Sequence, residues 1–339
     1  MKLLSVIIST KDRKEILSET LSHITNNVSF DAREMEFIVV NDGDENIPEQ
    51  ILPKELNPRV INLKQKSLAK ARNAGAKNSN GKIILFLDDD ILPSKDHFYR
   101  HLQIQEKFPF AIITANRFFP KELILKAKET PFSRYKIKYE YDWTSETAMS
   151  SIENNPDLYN AENLAGFSCS MPKEVWAKLE GFNEHFTDAG CEDSEFFYRA
   201  NKLGIQLIFD KSNHCFHNEN DNFSLKNWLR RQGTGARGAV VICELHPEGK
   251  THPSYVLNTP ISFKNDSFNT FFIKTKRWIL MNRIIFKILY ILTSVCEKIK
   301  IPDAVLFKLY NALWISNSTY FFRIKWKQIK SNPINNCIL

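Results

Sequence analysis

The chain has 339 residues, 43% of them hydrophobic and 25% charged, which is ordinary globular material with room for one large α/β domain and an appendage. Its net charge of +7 is unevenly placed: residues 274–339 hold nine Lys and three Arg against Glu297 and Asp303, a net +10, which leaves −3 for the other 273 residues. A nucleic-acid-binding body would itself be basic, so this polarity excludes nucleic acid as the expected partner and predicts a mildly acidic catalytic body with a basic attachment segment.

The first 115 residues alternate strand and helix signals. Leu4 to Ser9 reads as an apolar strand, and Arg13 to Asn26 carries Ile16, Leu17, Leu21 and Ile24 at helical spacing. Phe37 to Val40 is a second strand and Leu68 to Lys77 a small-residue helix. Ile83 to Leu87 is a third strand, followed by a helix over Lys95 to Lys107 and a strand over Ala111 to Thr114. This alternation predicts a Rossmann-like α/β fold whose central sheet is mainly parallel and flanked by helices, with ligands bound outside the carboxyl ends of the strands. From Lys121 to Asn160 the pattern dissolves into aromatic and charged residues, among them Phe132, Tyr135, Tyr139, Tyr141 and Trp143, and predicts a long excursion carrying acceptor-binding loops. Order returns with a helix over Lys173 to Leu179, a helix over Glu195 to Leu203 stopped by Gly204, and a strand over Gln206 to Phe209.

Six cysteines (Cys169, Cys191, Cys215, Cys243, Cys296 and Cys337) form no C-x-x-C pair and predict free thiols in a reducing compartment. The N-terminus enters a strand-like run after a single Lys with no small-residue cleavage site, so the expected location is the cytoplasm.

The carboxyl ends of the strands hold the chemistry. After the first comes Thr10-Lys11-Asp12-Arg13, after the second Asn41-Asp42-Gly43, and after the third Asp88-Asp89-Asp90. Three adjacent carboxylates at the end of a buried strand repel one another unless a cation sits among them, which predicts a divalent metal site; a polar loop closing a strand is the alternative. No G-x-G-x-x-G and no G-x-x-x-x-G-K-[ST] is present, so phosphates here need a metal instead of a glycine cradle.

Taken in order, Ser5-Val6-Ile7-Ile8-Ser9-Thr10, Val39-Val40-Asn41-Asp42-Gly43, Ala71-Arg72-Asn73-Ala74-Gly75, Phe86-Leu87-Asp88-Asp89-Asp90, Gly181-Phe182-Asn183-Glu184, Glu192-Asp193-Ser194-Glu195-Phe196 and His217 resemble the family-2 glycosyltransferases of the GT-A fold. The resemblance covers roughly residues 3–240 and implies an inverting transfer of a sugar from a nucleotide-diphosphate sugar, with UDP the commonest carrier, to a saccharide, lipid-linked or peptide acceptor. It implies a donor site of Thr10, Asp42, Arg72, Asp88 and Asp89, with Asp42 against the base, Arg72 on the nucleotide or its diphosphate and Asp88 facing the ribose and metal. Asp90 and His217 would ligate Mn2+ or Mg2+, with His214 as a competitor three positions earlier. Asp193 would be the base that takes the acceptor proton, a helix N-cap being its other reading, and Glu192, Gly166 and Trp176 would lie on the acceptor side. Trp228, Arg230, Arg231, Gln232, Gly233, Gly235 and Gly238 would form a basic, flexible element near the active-site mouth or a surface helix. A nucleotidyltransferase would also use metal carboxylates, but the Gly- and Lys/Arg-rich phosphate loop that such enzymes need is missing; a silent sugar- or nucleotide-binding adaptor would not need both Asp90 and Asp193.

The expected organisation is a catalytic domain over residues 1–240, with a nucleotide-sugar half (1–115) and an acceptor half (116–240), a connector (241–273) and a helical tail (274–339). Within Lys274 to Lys300 no window of about 18 residues is free of charge, which argues against a spanning helix. Lys276, Arg283, Lys287, Ser294 and Lys298 form one helical stripe, with Met281, Ile285, Ile288, Leu289, Leu292 and Val295 opposite. A helix over Ala304 to Ile315 and the cluster Tyr320 to Lys327 repeat the mix of aromatics and cations. The tail is expected on a membrane surface, peripheral at the inner face of the plasma membrane, or else against the body or a second copy in a homodimer.

Overall fold

The computed structural model describes residues 2–64, 67–141, 149–188, 190–218 and 223–332. Trp143, Cys337 and the side chains of Tyr139 and Tyr141 lie outside that description. The chain forms two compact units, one of Met1–Leu123, Tyr141–Thr187 and Glu192–Asn220, the other of Ile124–Glu140, Asp188–Cys191 and Asp221–Leu339.

The first unit is built on a ten-stranded sheet: β1 (Leu4–Thr10), β2 (Met35–Asn41), β3 (Arg59–Asn62), β4 (Ile83–Asp88), β5 (Ile91–Pro93), β6 (Ile112–Phe118), β7 (Met149–Ile152), β8 (Asn155–Ala161), β9 (Ser168–Pro172) and β10 (Leu207–His217). The order is β3-β2-β1-β4-β9-β6-β10-β8-β7, with β5 paired to β10. All seven residues of β1 are buried, as a central strand covered on both faces requires. Side chains divide between the faces with period two: Ile7, Ile38, Val40, Ile84 and Phe86 enter one core, and Val6, Ile8, Val39, Leu85 and Leu87 the other. Each such residue contributes about 1.5–3 kcal/mol of burial.

The helices of this unit follow their apolar spacing. In α1 (Lys14–Asn27) Leu17, Thr20, Leu21 and Ile24 are the buried stripe. In α2 (Leu68–Lys77) small residues let the helix lie close to the sheet, and a Cβ at Gly75 would stand 2.3 Å from Ile7 Cγ2. Then come α3 (His97–Lys107), α6 (Lys173–Lys178) and α7 (Glu192–Lys202), while α5 (Pro131–Tyr141) and most of α4 (Lys121–Ala127) belong to the second unit.

Three expectations change. The sheet is mixed, because β9 runs antiparallel between β4 and β6, and β10 pairs antiparallel with β5 and β8. Among the described residues the stretch from Lys121 to Asn160 holds α4, α5, β7 and β8, and Phe132 and Tyr135 are core residues of the second unit, 4% and 0% exposed. The helix expected from Glu195 starts at Glu192, and the strand expected to end at Phe209 runs on to His217.

The second unit is helical: α8 (Leu225–Leu245), α9 (Pro253–Val256), α10 (Phe268–Leu280), α11 (Arg283–Lys298) and α12 (Asp303–Ser331). Its core joins Phe132, Tyr135, Trp228, Leu229, Leu306, Tyr310 and Leu313. The residues from Trp228 to Gly238 lie in α8, with Arg230 and Arg231 exposed: a Cβ at Gly233 would stand 2.6 Å from the Phe321 ring and one at Gly238 2.4 Å from the Gly190 carbonyl, whereas one at Gly235 would meet nothing within 4 Å. Close helix packing is therefore what Gly233 and Gly238 serve. The two apolar segments expected after residue 303 are one helix, α12, with Leu306, Tyr310, Leu313 and Phe322 turned inward.

Candidate active site

All the site residues named from the sequence lie in the first unit. Parallel pairing sets Thr10 beside Asn41 and Ser9 beside Asp88, so the polar ends of β1, β2 and β4 share one sheet edge. At the end of β2 the side chain of Asn41 accepts from the Gly43 amide at 2.9 Å, so Asn41, not Asp42, closes the turn. The Asp42 amide donates to the Thr10 carbonyl at 2.8 Å, and Asp42 is 5% exposed.

The three consecutive aspartates have different partners. The Asp89 carboxylate accepts from Thr10 Oγ1 at 2.6 Å and meets Arg13 Nη1 at 3.0 Å, while Thr20 Oγ1 donates to its carbonyl at 2.6 Å. Asp90 accepts from Arg13 Nη2 at 2.5 Å, and the same Oδ2 lies 3.3 Å from His217 Nε2. Asp88 accepts from Arg72 Nη2 at 3.0 Å, and its side chain is 35% exposed against 4% and 8% for the other two. Of the three, Asp88 is the one most open to a ligand. Burial pushes the Asp89 carboxyl up to about 7 against the pull of Arg13. Against the cost of burial, His217 and Arg13 hold Asp90 well below the usual carboxylate range.

The choice between the two histidines follows from strand parity. On β10 Asn213, Cys215 and His217 are buried while His214 and Phe216 are exposed. His214 lies edge-on to Phe118, 4.9 Å between centroids, and His217 meets Asp90.

Arg72 is 3% exposed and joins the two halves of the site. Its guanidinium donates to Asp88, to Glu192 Oε1 at 2.9 Å and to the Gly166 carbonyl at 3.3 Å. It therefore reaches a ligand through Asp88 and Glu192. Asp193 lies in the first turn of α7, one residue inside its start, so it is not the N-cap. Its Oδ2 accepts from the Gly166 amide at 3.1 Å and its Oδ1 from the Ser194 amide at 2.8 Å. A Cβ at Gly166 would stand 3.1 Å from Asp193 Cβ and 3.2 Å from Arg72 Nη1, so a glycine lets the carboxylate and the guanidinium meet there. Trp176 is set apart, in the core beside Gly181 and Phe182 and 8% exposed. Asn73 ties α2 to the 181–184 turn, donating to the Phe182 carbonyl at 2.8 Å and to Glu184 Oε1 at 3.0 Å.

Five carboxylates (Asp88, Asp89, Asp90, Glu192 and Asp193) thus face two guanidinium groups, those of Arg13 and Arg72. Arg13, at the end of the Thr10-Lys11-Asp12-Arg13 segment after β1, was not among the expected site residues, yet it pairs with Asp89 and Asp90. Among the described residues no three His, Cys, Asp or Glu side chains are grouped to hold a metal alone. The meeting of the Asp90 carboxylate with His217 Nε2 does fit a two-point partial shell for a hard or borderline divalent cation whose other ligands come from a diphosphate.

The sequence matches the model of Glycosyl transferase family 2 over residues 5–169 and that of the N-terminal domain of galactosyltransferase over residues 148–219. No curated protein matches it. Among solved structures it is similar to the mannosyltransferase PcManGT from Pyrobaculum calidifontis in complex with GDP-Man and Mn2+, at 13% identity and a TM-score of 0.59, over 94% of this chain and 87% of that one. It is also similar to S. aureus TarS, at 16% identity and a TM-score of 0.48, over 95% of this chain and 55% of that one. The chain thus spans about half the length of that TarS structure. To S. aureus TarS 1-349 in complex with UDP the identity is 16% and the TM-score 0.48, over 97% of this chain and 92% of that one.

Proposed function

The chain carries a glycosyl transferase family 2 domain of the GT-A fold over residues 5–169, and on that premise we propose that it moves a sugar from a nucleotide-diphosphate sugar, UDP by family resemblance, to an acceptor hydroxyl with inversion at the anomeric carbon. Asp193 takes the proton from the acceptor hydroxyl as that oxygen forms its bond to the anomeric carbon. The bond from that carbon to the diphosphate breaks on the opposite face, and its electron pair leaves with the diphosphate, so no covalent enzyme intermediate is needed. A Mn2+ or Mg2+ held by Asp90 and His217 would neutralise charge on the leaving diphosphate. Thr10, Asp42, Asp88 and Asp89 bind the donor, with Arg72 keeping Asp88 and Glu192 in place. Glu192 and Gly166 belong to the acceptor side, whereas Trp176, buried in the core, does not line it.

The observation that carries this reading is the clamp on Asp193: two backbone amides fix its carboxylate next to the Arg72 hub that also holds Asp88. A base fixed in this way needs no rearrangement to meet an acceptor. In Asp193→Asn, kcat is expected to fall by about 100- to 10,000-fold, while the Kd for UDP with Mn2+, read by calorimetry, stays at the wild-type value. A fully active Asn variant removes Asp193 from the mechanism.

A further inference from the structure

The second unit leaves a long apolar surface uncovered. On α11, Phe286, Leu289, Tyr290 and Cys296 pack onto the core that α12 helps to build, whereas Ile284, Ile288, Ile291, Leu292, Val295 and Ile299 are 47–70% exposed. Their spacing of four, three, one, three and four residues makes one stripe on the face away from that core. Leu289 and Ile285, expected on the same side as Ile288 and Leu292, are turned further inward. On α10, Phe268, Phe272 and Trp278 are also 77%, 57% and 57% exposed, and Phe263 just before it is 89% exposed. Runs of exposed apolar residues of this extent mark an interaction surface.

The charges around the stripe decide what covers it. Lys264, Lys276, Arg283, Lys287, Lys298 and Lys300 are exposed. The two acids of the same stretch are engaged: Asp266 accepts from the buried Lys274 at 2.6 Å with 4% of its side chain exposed, and Glu297 accepts from the Tyr310 hydroxyl. The exposed face therefore offers apolar groups and cations, with no exposed acid. A second copy of this chain seated there in a symmetric pair would bring cations against cations. An anionic bilayer meets both halves of the pattern.

Among the described residues no single helix is long and apolar enough to cross a membrane; α10 and α11 pass that test only together, and they are bent by 77° at their junction. Asn282 fixes the bend by capping α11, its Oδ1 accepting from the Ile284 amide at 2.9 Å. We propose that α10 and α11 lie in the interface of an anionic bilayer, with the Ile284–Ile299 stripe and the aromatic residues of α10 at the acyl boundary and the flanking lysines on headgroup phosphates. The expected basic tail is thereby narrowed to two helices, since α12 is a core helix.

The test is flotation of the full chain with phosphatidylcholine vesicles, with and without a minor fraction of phosphatidylglycerol. The wild type is expected to float with the anionic vesicles. Ile288→Glu with Ile291→Glu should lower the bound fraction about tenfold or more, and Lys287→Glu with Lys298→Glu about fivefold per cation. Both pairs sit on the exposed face, so the calorimetric unfolding profile of both units and the circular dichroism should stay as in the wild type. Three outcomes overturn the proposal: a wild type left behind by both vesicle types, an Ile288→Glu/Ile291→Glu variant that floats like the wild type, or a lipid-free dimer by light scattering that this double variant turns into a monomer.

Discussion

At Arg72, one side chain answers for several acids. Its two terminal nitrogens serve Asp88, Glu192 and the Gly166 carbonyl at once, with Glu192 only 4% exposed. Arg72→Met would strand a buried carboxylate and is expected to cost about 3–5 kcal/mol, with Glu192 the main source because Asp88 is partly screened by solvent. Arg72→Lys keeps the charge but offers no planar fork, so its stability should fall between the two. Urea unfolding of the three proteins checks the order; a Met variant as stable as the wild type would show that the hub is dispensable. The placement of Asp88 to Asp90, Asp193 and His217 at the ends of strands and a helix was legible because they are local signals. Arg13 was not, because its importance lies in reaching Asp90, 77 positions along the chain. His217 was separable from His214 only once β10 was known to run to His217, since parity then buries one and exposes the other.

Among the elements, those with apolar runs or helical stripes were readable, and β9 was not. Ser168-Cys169-Ser170 looks polar, yet Ser168 and Ser170 are fully buried because two histidines of α3 meet them. His97 Nε2 lies 2.9 Å from Ser168 Oγ, and His101 Nδ1 lies 2.8 Å from Ser170 Oγ. A strand whose polar groups are satisfied by a helix above it carries no hydrophobic signature, and its antiparallel insertion is what makes the sheet mixed. The pairing also sets a pH response. Burial lowers His97 from 6.5 to about 4, and His101 well below 6.5, so both stay neutral in the fold. Above about pH 6.5 folded and unfolded chains bind the same number of protons at these rings. As the pH falls below that, the unfolded chain takes up protons that the fold refuses, so stability declines down to about pH 4 and then levels for His97. The loss through His97 alone is about 3 kcal/mol at about 1.4 kcal/mol per pH unit. Between these limits His101 adds to the decline and Asp89, raised to about 7, opposes it, so the wild type and His97→Gln should differ by the His97 slope in chemical unfolding; equal slopes in the two proteins would remove His97 as a cause.

For the whole molecule, two compact units with separate cores stand where the sequence suggested a body and a tail. The charge split was legible, but not its use: Lys274 and Arg323 are 2% and 6% exposed, and Arg323 donates to the Asn258 and Thr259 carbonyls inside the helical unit. Part of the basic excess is therefore structural, which no count of residues reveals. Two cores also predict that heating need not melt the chain in one step, so a single melting temperature describes it poorly. The residues proposed to bind the donor all lie in the unit that holds the sheet, so a bound nucleotide should stabilise that unit alone. At a free concentration of about 100 times Kd the gain is about 2.7 kcal/mol, enough to raise a transition by about 5–10 °C at this unit's size. Calorimetry with UDP and Mn2+ should show one transition moving up and the other fixed, with hydrogen exchange assigning the moving one to the sheet. Chelating the metal should return most of that shift, because Asp90 and His217 would then face the diphosphate without a cation between them. An equal shift with UDP in the presence of EDTA would show that this pair holds no metal in the donor complex, and transitions that move together would show that the two units unfold as one.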